Sequence, residues 1–208
     1  MKTLCDGIAS TMRHAVCAYQ SMSSMGAWDM PEFWLQCEIA RGLRCGYFVL
    51  LEAPTTALLN WELGEKREKI SGLEGGKIDL ALFEQKVNPK EAHLIGLIEV
   101  KKIEKPDDCN EDVERLRELC GKINCRRKAN EKENGKKIVR TALVAAHLQY
   151  ADTETLGKNI VALLKNIGSP RDRAAVRKFA TDIENECGKK EPRFCAAVVA
   201  DVLQAEGQ

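Results

Sequence analysis

The stretch that most narrows the possible folds is Gly76-Lys77-Ile78-Asp79-Leu80-Ala81-Leu82-Phe83-Glu84, followed after a short connection by His93-Leu94-Ile95-Gly96-Leu97-Ile98-Glu99-Val100-Lys101-Lys102. Both segments are rich in branched apolar residues, which favour strands, and Val87-Asn88-Pro89-Lys90-Glu91 between them carries turn-forming Asn and Pro. An antiparallel hairpin is predicted. With its loop centred on Pro89, Asp79 and Glu99 lie equally far from the centre and oppose each other, their Cβ atoms about 4.5–5.5 Å apart. Lys101, two residues after Glu99, shares its face. Close carboxylates repel, and buried charge is costly without a partner, so such a pair persists where a cation joins it. Mg²⁺ or Mn²⁺ suits the pair, since a hard cation takes oxygen ligands and completes its shell with waters and substrate phosphate. A neighbouring lysine would orient or help deprotonate an attacking water, or neutralise charge growing on a phosphate. This is the chemistry of metal-assisted phosphodiester hydrolysis.

A chain of 208 residues suits one α/β domain with helical additions and can bury a substantial core. Its 32 Lys plus Arg stand against 31 Asp plus Glu, so any nucleic-acid-binding surface must be local rather than global. Met1–Ser24 carries Asp6, Arg13 and His14 where a signal peptide needs an apolar segment, and no apolar run reaches membrane-spanning length. A cytoplasmic protein without membrane association is expected. The nine cysteines include no Cys-x-x-Cys, and the nearest pair, Cys120 and Cys125, has no second pair to match it. In a reducing compartment Cys5, Cys17, Cys37, Cys45, Cys109, Cys187 and Cys195 are predicted to be small buried apolar side chains.

Helical spacing of Leu4, Ile8, Met12, Ala15 and Tyr19 predicts a helix over 3–22. A second runs to about Arg44, with Asp29 as N-cap and Pro31 and Glu32 in its first turn. It is apolar around most of its girth, and Glu38 stands out: it either pairs with Arg41 or Arg44, or points at the metal site. Tyr47–Glu52 reads as the first strand, stopped by Pro54, with Glu52 either a solvated strand end or a further acid lining the site, the former favoured. Thr55–Gly75 reads as an irregular excursion containing a short helix or edge strand. After the hairpin, Asn110 caps a helix whose inner face is Val113, Leu116, Leu119, Cys120 and Ile123, ending near Arg126. The basic stretch that follows, with Arg126, Arg127, Lys128, Lys136 and Lys137, is either a solvated loop or a phosphate-contacting loop beside the site. Ile138–Ala146 is a buried strand, placed parallel to the Glu99 strand by the crossover. Two helices, about Thr153–Asn166 and Pro170–Cys187, precede a final segment, Arg193–Leu203, read as a strand. The histidines have no acids or thiols at ligand spacing, and no Ser or Cys has the elbow or His partner of a nucleophile.

An order of helix, strand, hairpin with Asp on its first strand and Glu-x-Lys on its second, helix, strand resembles the PD-(D/E)XK nuclease superfamily, also called restriction endonuclease-like. The resemblance covers roughly Asp29–His147. Asp79 resembles the metal-binding Asp of the first motif, and Glu99-Val100-Lys101 resembles the (D/E)-X-K motif. The residue before Asp79 is Ile78 and not the proline of the family's name, which many members also lack. Many members take a further metal ligand from the helix before the first strand, and Glu38 is the residue this implies here. The resemblance implies an α/β fold with a restriction endonuclease-like core, α-β-β-β-α-β, in which helices flank a mixed central sheet. Residues 1–208 would form a single such domain, with the core at about 29–147, an N-terminal helix in 1–28, and C-terminal helices and a final strand in 148–208.

The function so implied is a Mg²⁺- or Mn²⁺-dependent nuclease acting on DNA. Asp79, Glu99 and Lys101 would be catalytic, Asp79, Glu99 and Glu38 metal-binding, and the chain a homodimer as many relatives are. The alternative is a catalytically silent nuclease-like module serving a defence or repair complex.

Overall fold

A computed structural model describes residues 2–23, 29–63, 76–86, 92–129, 139, 141–169, 173–184 and 190–203. In chain order the elements are α1 (Lys2–Ser23), α2 (Glu32–Leu43), β1 (Tyr47–Pro54), α3 (Thr55–Leu63), β2 (Lys77–Glu84), β3 (Leu94–Ile103), α4 (Asn110–Ala129), β4 (Thr141–Tyr150), α5 (Thr153–Ile167), β5 (Ala174–Glu184) and β6 (Lys190–Asp201). The strands form one mixed sheet in the order β1-β2-β3-β4-β6-β5. Only β3 and β4 run parallel, as a strand-helix-strand crossover requires; the remaining neighbours are antiparallel.

Strand alternation divides the core between the two faces of the sheet. Leu80, Leu82, Ile98, Val100, Leu143 and Ala145 point to one face, where Ile8, Met12 and Val16 of α1 and Leu35 and Ile39 of α2 cover them. Ala81, Phe83, Leu97, Ala142 and Val144 point to the other, under α3, the inner face of α4, and Leu156, Ile160 and Leu163 of α5. The result is an α/β protein with helices on both faces of a six-stranded sheet. α5 carries its own punctuation: Asp152 accepts from the Thr155 N–H at its start, and Gly168, at φ 67°, ends it in the left-handed conformation.

Two expectations need correction here. The segment predicted as a helix over Pro170–Cys187 is the edge strand β5, paired with β6 from Ala174↔Ala200 to Glu184↔Lys190. Its Ala, Arg and Lys content favours a helix locally, yet the apolar strand β6 offers an unpaired ladder, and tertiary pairing overrides propensity. Of the cysteines predicted to be buried, Cys17 and Cys45 are exposed and Cys37 is half-buried, Cys5, Cys109 and Cys195 are buried as expected, and Cys187 lies outside the described residues. A smaller difference lies at α2, whose N-cap is Pro31 in an extended conformation without a side-chain cap.

β5 is held to the end of β6 by an ion pair between Arg173 and the wholly buried Asp201, whose carboxylate also accepts from the Leu203 N–H at 3.0 Å. Asp201→Ala is expected to cost about 3 kcal/mol, because it strands a partly buried guanidinium. Urea unfolding at fixed pH measures it, and a loss under about 1 kcal/mol would argue against this anchor.

Candidate functional site

The β2–β3 ladder pairs Leu80 with Ile98 and Ala81 with Leu97, a register that extends to Asp79 opposite Glu99. There the ladder opens, and Asp79 Oδ2 accepts from the Val100 N–H at 2.7 Å. The two carboxyl groups are close enough to shift each other's protonation, Asp79 raising Glu99 and Glu99 lowering Asp79. Glu99 is 2% exposed. Burial first, and then the charge of Asp79, push its pKa up to about 8, so near neutral pH Glu99 holds a proton beside the Asp79 carboxylate. Burial raises Asp79 as well, opposed by the bond from Val100 and by Glu99.

α4 closes over this pair with its first turns. Arg115 Nη2 lies 2.6 Å from Glu99 Oε1 and 2.8 Å from Asp112 Oδ1, and Lys101 Nζ lies 3.3 Å from Asp112 Oδ2. Glu99, Arg115, Asp112 and Lys101 are therefore linked in one chain of contacts, two members on β3 and two on α4. Burial works against the Lys101 ammonium, but Asp112, Glu32 and Asp79 outweigh it and the net shift is upward. Lys101 is thus a cation at neutral pH. α2 reaches the same place through its first turn, where Glu32 Oε2 accepts from the Lys102 N–H at 3.1 Å and its charge acts on Lys101. On the outer side, the β1–β2 register sets Glu52 across from Asp79. Glu52 sits at φ 51°, an uncommon conformation for a non-glycine residue, and pairs with Lys77 at 3.1 Å.

The three residues of the hairpin motif, Asp79, Glu99 and Lys101, are thus brought together. The Glu38 carboxylate pairs with Arg41 one turn along α2. The acid that α2 does present is Glu32. Arg126, Arg127 and Lys128 fall in the last turn of α4, about 16 Å along its axis from Arg115 at the rise of an α-helix. They belong to the end of the sheet where Thr141 opens β4 beside Gly96, away from the acids. Lys136 and Lys137 lie outside the described residues. His147 is wholly buried against Phe179, and burial lowers its pKa to about 4; both ring nitrogens lack a hydrogen-bond partner among the described residues.

Asp112, Arg115 and Glu32 were not singled out from the sequence. For the first two a signal was present: an acid and a base at i and i+3 in the opening turns of a crossover helix, whose start must lie beside the carboxyl end of the preceding strand. Among the described residues no three His, Cys, Asp or Glu side chains form a ready-made metal cage. The donor chemistry at Asp79 and Glu99 nevertheless fits a hard dication, because two adjacent carboxyl groups held one proton short of full charge would be neutralised by it. No helix among the described residues is long and apolar enough to cross a membrane.

No protein-family model matches the chain, and neither a curated protein nor a solved structure matches it. What this chain does is therefore argued from the class of its fold, an α/β sheet flanked by helices, and from the charged site at the carboxyl end of β3.

The carboxyl pair has a thermodynamic signature. Native Glu99 keeps its proton up to about 8, while an unfolded glutamate loses it near 4.5, so between those values the native state binds more protons and its stability from this group falls as pH rises. In chelator, urea unfolding of wild type and Glu99→Gln at pH 5 and pH 8 is expected to show wild type losing ground to the variant at the higher pH. A difference that stays flat would refute the shared-proton description.

Proposed function

We propose that the protein is a divalent-metal-dependent nuclease hydrolysing phosphodiester bonds in DNA, through a site of the PD-(D/E)XK kind. The observation that carries this reading is the facing Asp79–Glu99 pair with the Lys101 ammonium on the same face of β3. Asp79 and Glu99 would hold Mg²⁺ or Mn²⁺, and Glu32 takes over as the acid from α2 in place of Glu38. A bound dication supplies polarisation of the phosphoryl oxygen and an acidified water.

Lys101 stays protonated, so it serves by orienting the attacking water and stabilising charge on the phosphoryl oxygens rather than by removing a proton. Asp112 fixes its direction at 3.3 Å. The low exposure of Glu99 keeps competing water from its carboxyl group. DNA as the substrate rests on the family resemblance, since a formal charge of +1 demands no nucleic acid.

One observation favours the alternative, a nuclease-like binding or regulatory module without turnover: Glu99 is already paired with Arg115, and Lys101 with Asp112. Incubation of linear and plasmid DNA with Mg²⁺ or Mn²⁺ separates the two. Cleavage is expected for wild type, a loss of about 10²–10⁴-fold for Lys101→Ala, and loss to background for Asp79→Ala. Glu38→Ala is expected to cut like wild type and Glu32→Gln to cut more slowly. Metal-dependent cleavage surviving both Asp79→Ala and Lys101→Ala would remove the assignment, and DNA binding without cleavage would favour the silent module.

A further inference from the structure

Arg115 grips the site in an unusual way. Its Nη2 alone serves both Glu99 Oε1, at 2.6 Å, and Asp112 Oδ1, at 2.8 Å, while its Nε is buried with no hydrogen-bond partner among the described residues. A structural arginine–carboxylate pair ordinarily uses two nitrogens in parallel. Here the fork is not engaged, and the Arg115 side chain is 34% exposed while Glu99 beneath it is 2% exposed. The guanidinium can therefore leave Glu99 toward solvent while Asp112, one turn away on α4, keeps its tether. Lys101, held from the other oxygen of Asp112, has no such contact with Glu99.

We propose that Arg115 is the resident counter-ion of the Asp79–Glu99 site, so that its contact with Glu99 and the binding of a divalent cation exclude one another. The proposal rests on the reading of Asp79 and Glu99 as a cation site. Its physical basis is proximity: a dication on Glu99 would face a positive guanidinium within a few ångströms, in a place too buried for solvent to screen the repulsion. Removing the guanidinium charge should then tighten cation binding. The rival role, a support that orients Glu99 from behind a bound cation, has the opposite sign, because loss of such a support weakens binding.

The test is titration of Mn²⁺ into the full chain, followed by the EPR signal of the free ion. Arg115→Gln is expected to bind about tenfold more tightly than wild type, and Arg115→Lys, which keeps the charge, within about twofold of wild type. Glu99→Gln should abolish the site. If wild type binds Mn²⁺ in an Asp79-dependent manner and Arg115→Gln binds equally or less tightly, the counter-ion proposal falls while the cation site stands. If neither wild type nor Arg115→Gln binds, both fall; binding by Arg115→Gln alone supports both. A readout on the wild-type chain guards against a variant that does not fold. Mg²⁺ added to ¹⁵N-labelled protein should shift the Arg115 Nε–H resonance as the guanidinium leaves Glu99, and an unmoved resonance at saturating Mg²⁺ overturns the proposal.

Discussion

The register of β2 against β3 puts two carboxyl groups side by side in a part of the sheet that is otherwise apolar, and the charged residues around them respond to that strain. Glu99 lies on the third of six strands, with neighbours on both sides and α4 over its face, so water cannot relieve the repulsion. The pair settles by keeping one proton and by drawing Arg115 onto the oxygen that faces α4. Lys101 is then free to pair with Asp112. An expensive arrangement is kept in place because Leu97, Ile98 and Val100 on the same strand are wholly buried and allow no other register without turning apolar residues to solvent.

Topology explains why these elements supply the charges. In a strand-helix-strand crossover the helix begins where the first strand ends, so the opening turns of α4 stand over the carboxyl end of β3, and its last turn over the opposite end. Asp112 and Arg115 are in reach for that reason, whereas Arg126, Arg127 and Lys128 lie in the last turn of the helix. α2 lies on the other face of the sheet, covering Leu80 and Ile98 with Leu35 and Ile39, and its first residue, Glu32, reaches the end of β3. Glu38, six residues further along α2, pairs with Arg41.

Much of this could be read from residue order. The Asp79–Glu99 opposition follows from counting outward from Pro89, because a strand's period of two and a hairpin's symmetry leave no freedom once the loop centre is known. The ladder does slip by one residue between Leu82 and Phe83, but on the loop side, so the pairing at the acids is unaffected. The parallel placement of β4 and the strand character of β6 were equally legible, since long runs such as Ala142–Ala146 and Ala196–Ala200 are apolar on both faces. Glu32 was obscured because α2 is apolar nearly all round, and its pattern does not say which end approaches the hairpin.

The sequence by itself determined the hairpin, its two facing acids, the lysine on their face and the apolar strands that bury them, since all of these rest on local periodicity and short loops. Only the tertiary structure decided which residues from distant elements join the acids, and that the stretch before β6 becomes a strand. Both depend on contacts between segments far apart in the chain. The direction in which α2 crosses the sheet brings Glu32 to the end of β3, and the open ladder of β6 turns a sequence with helical propensity into β5. Neither influence leaves a mark on the residues it acts upon.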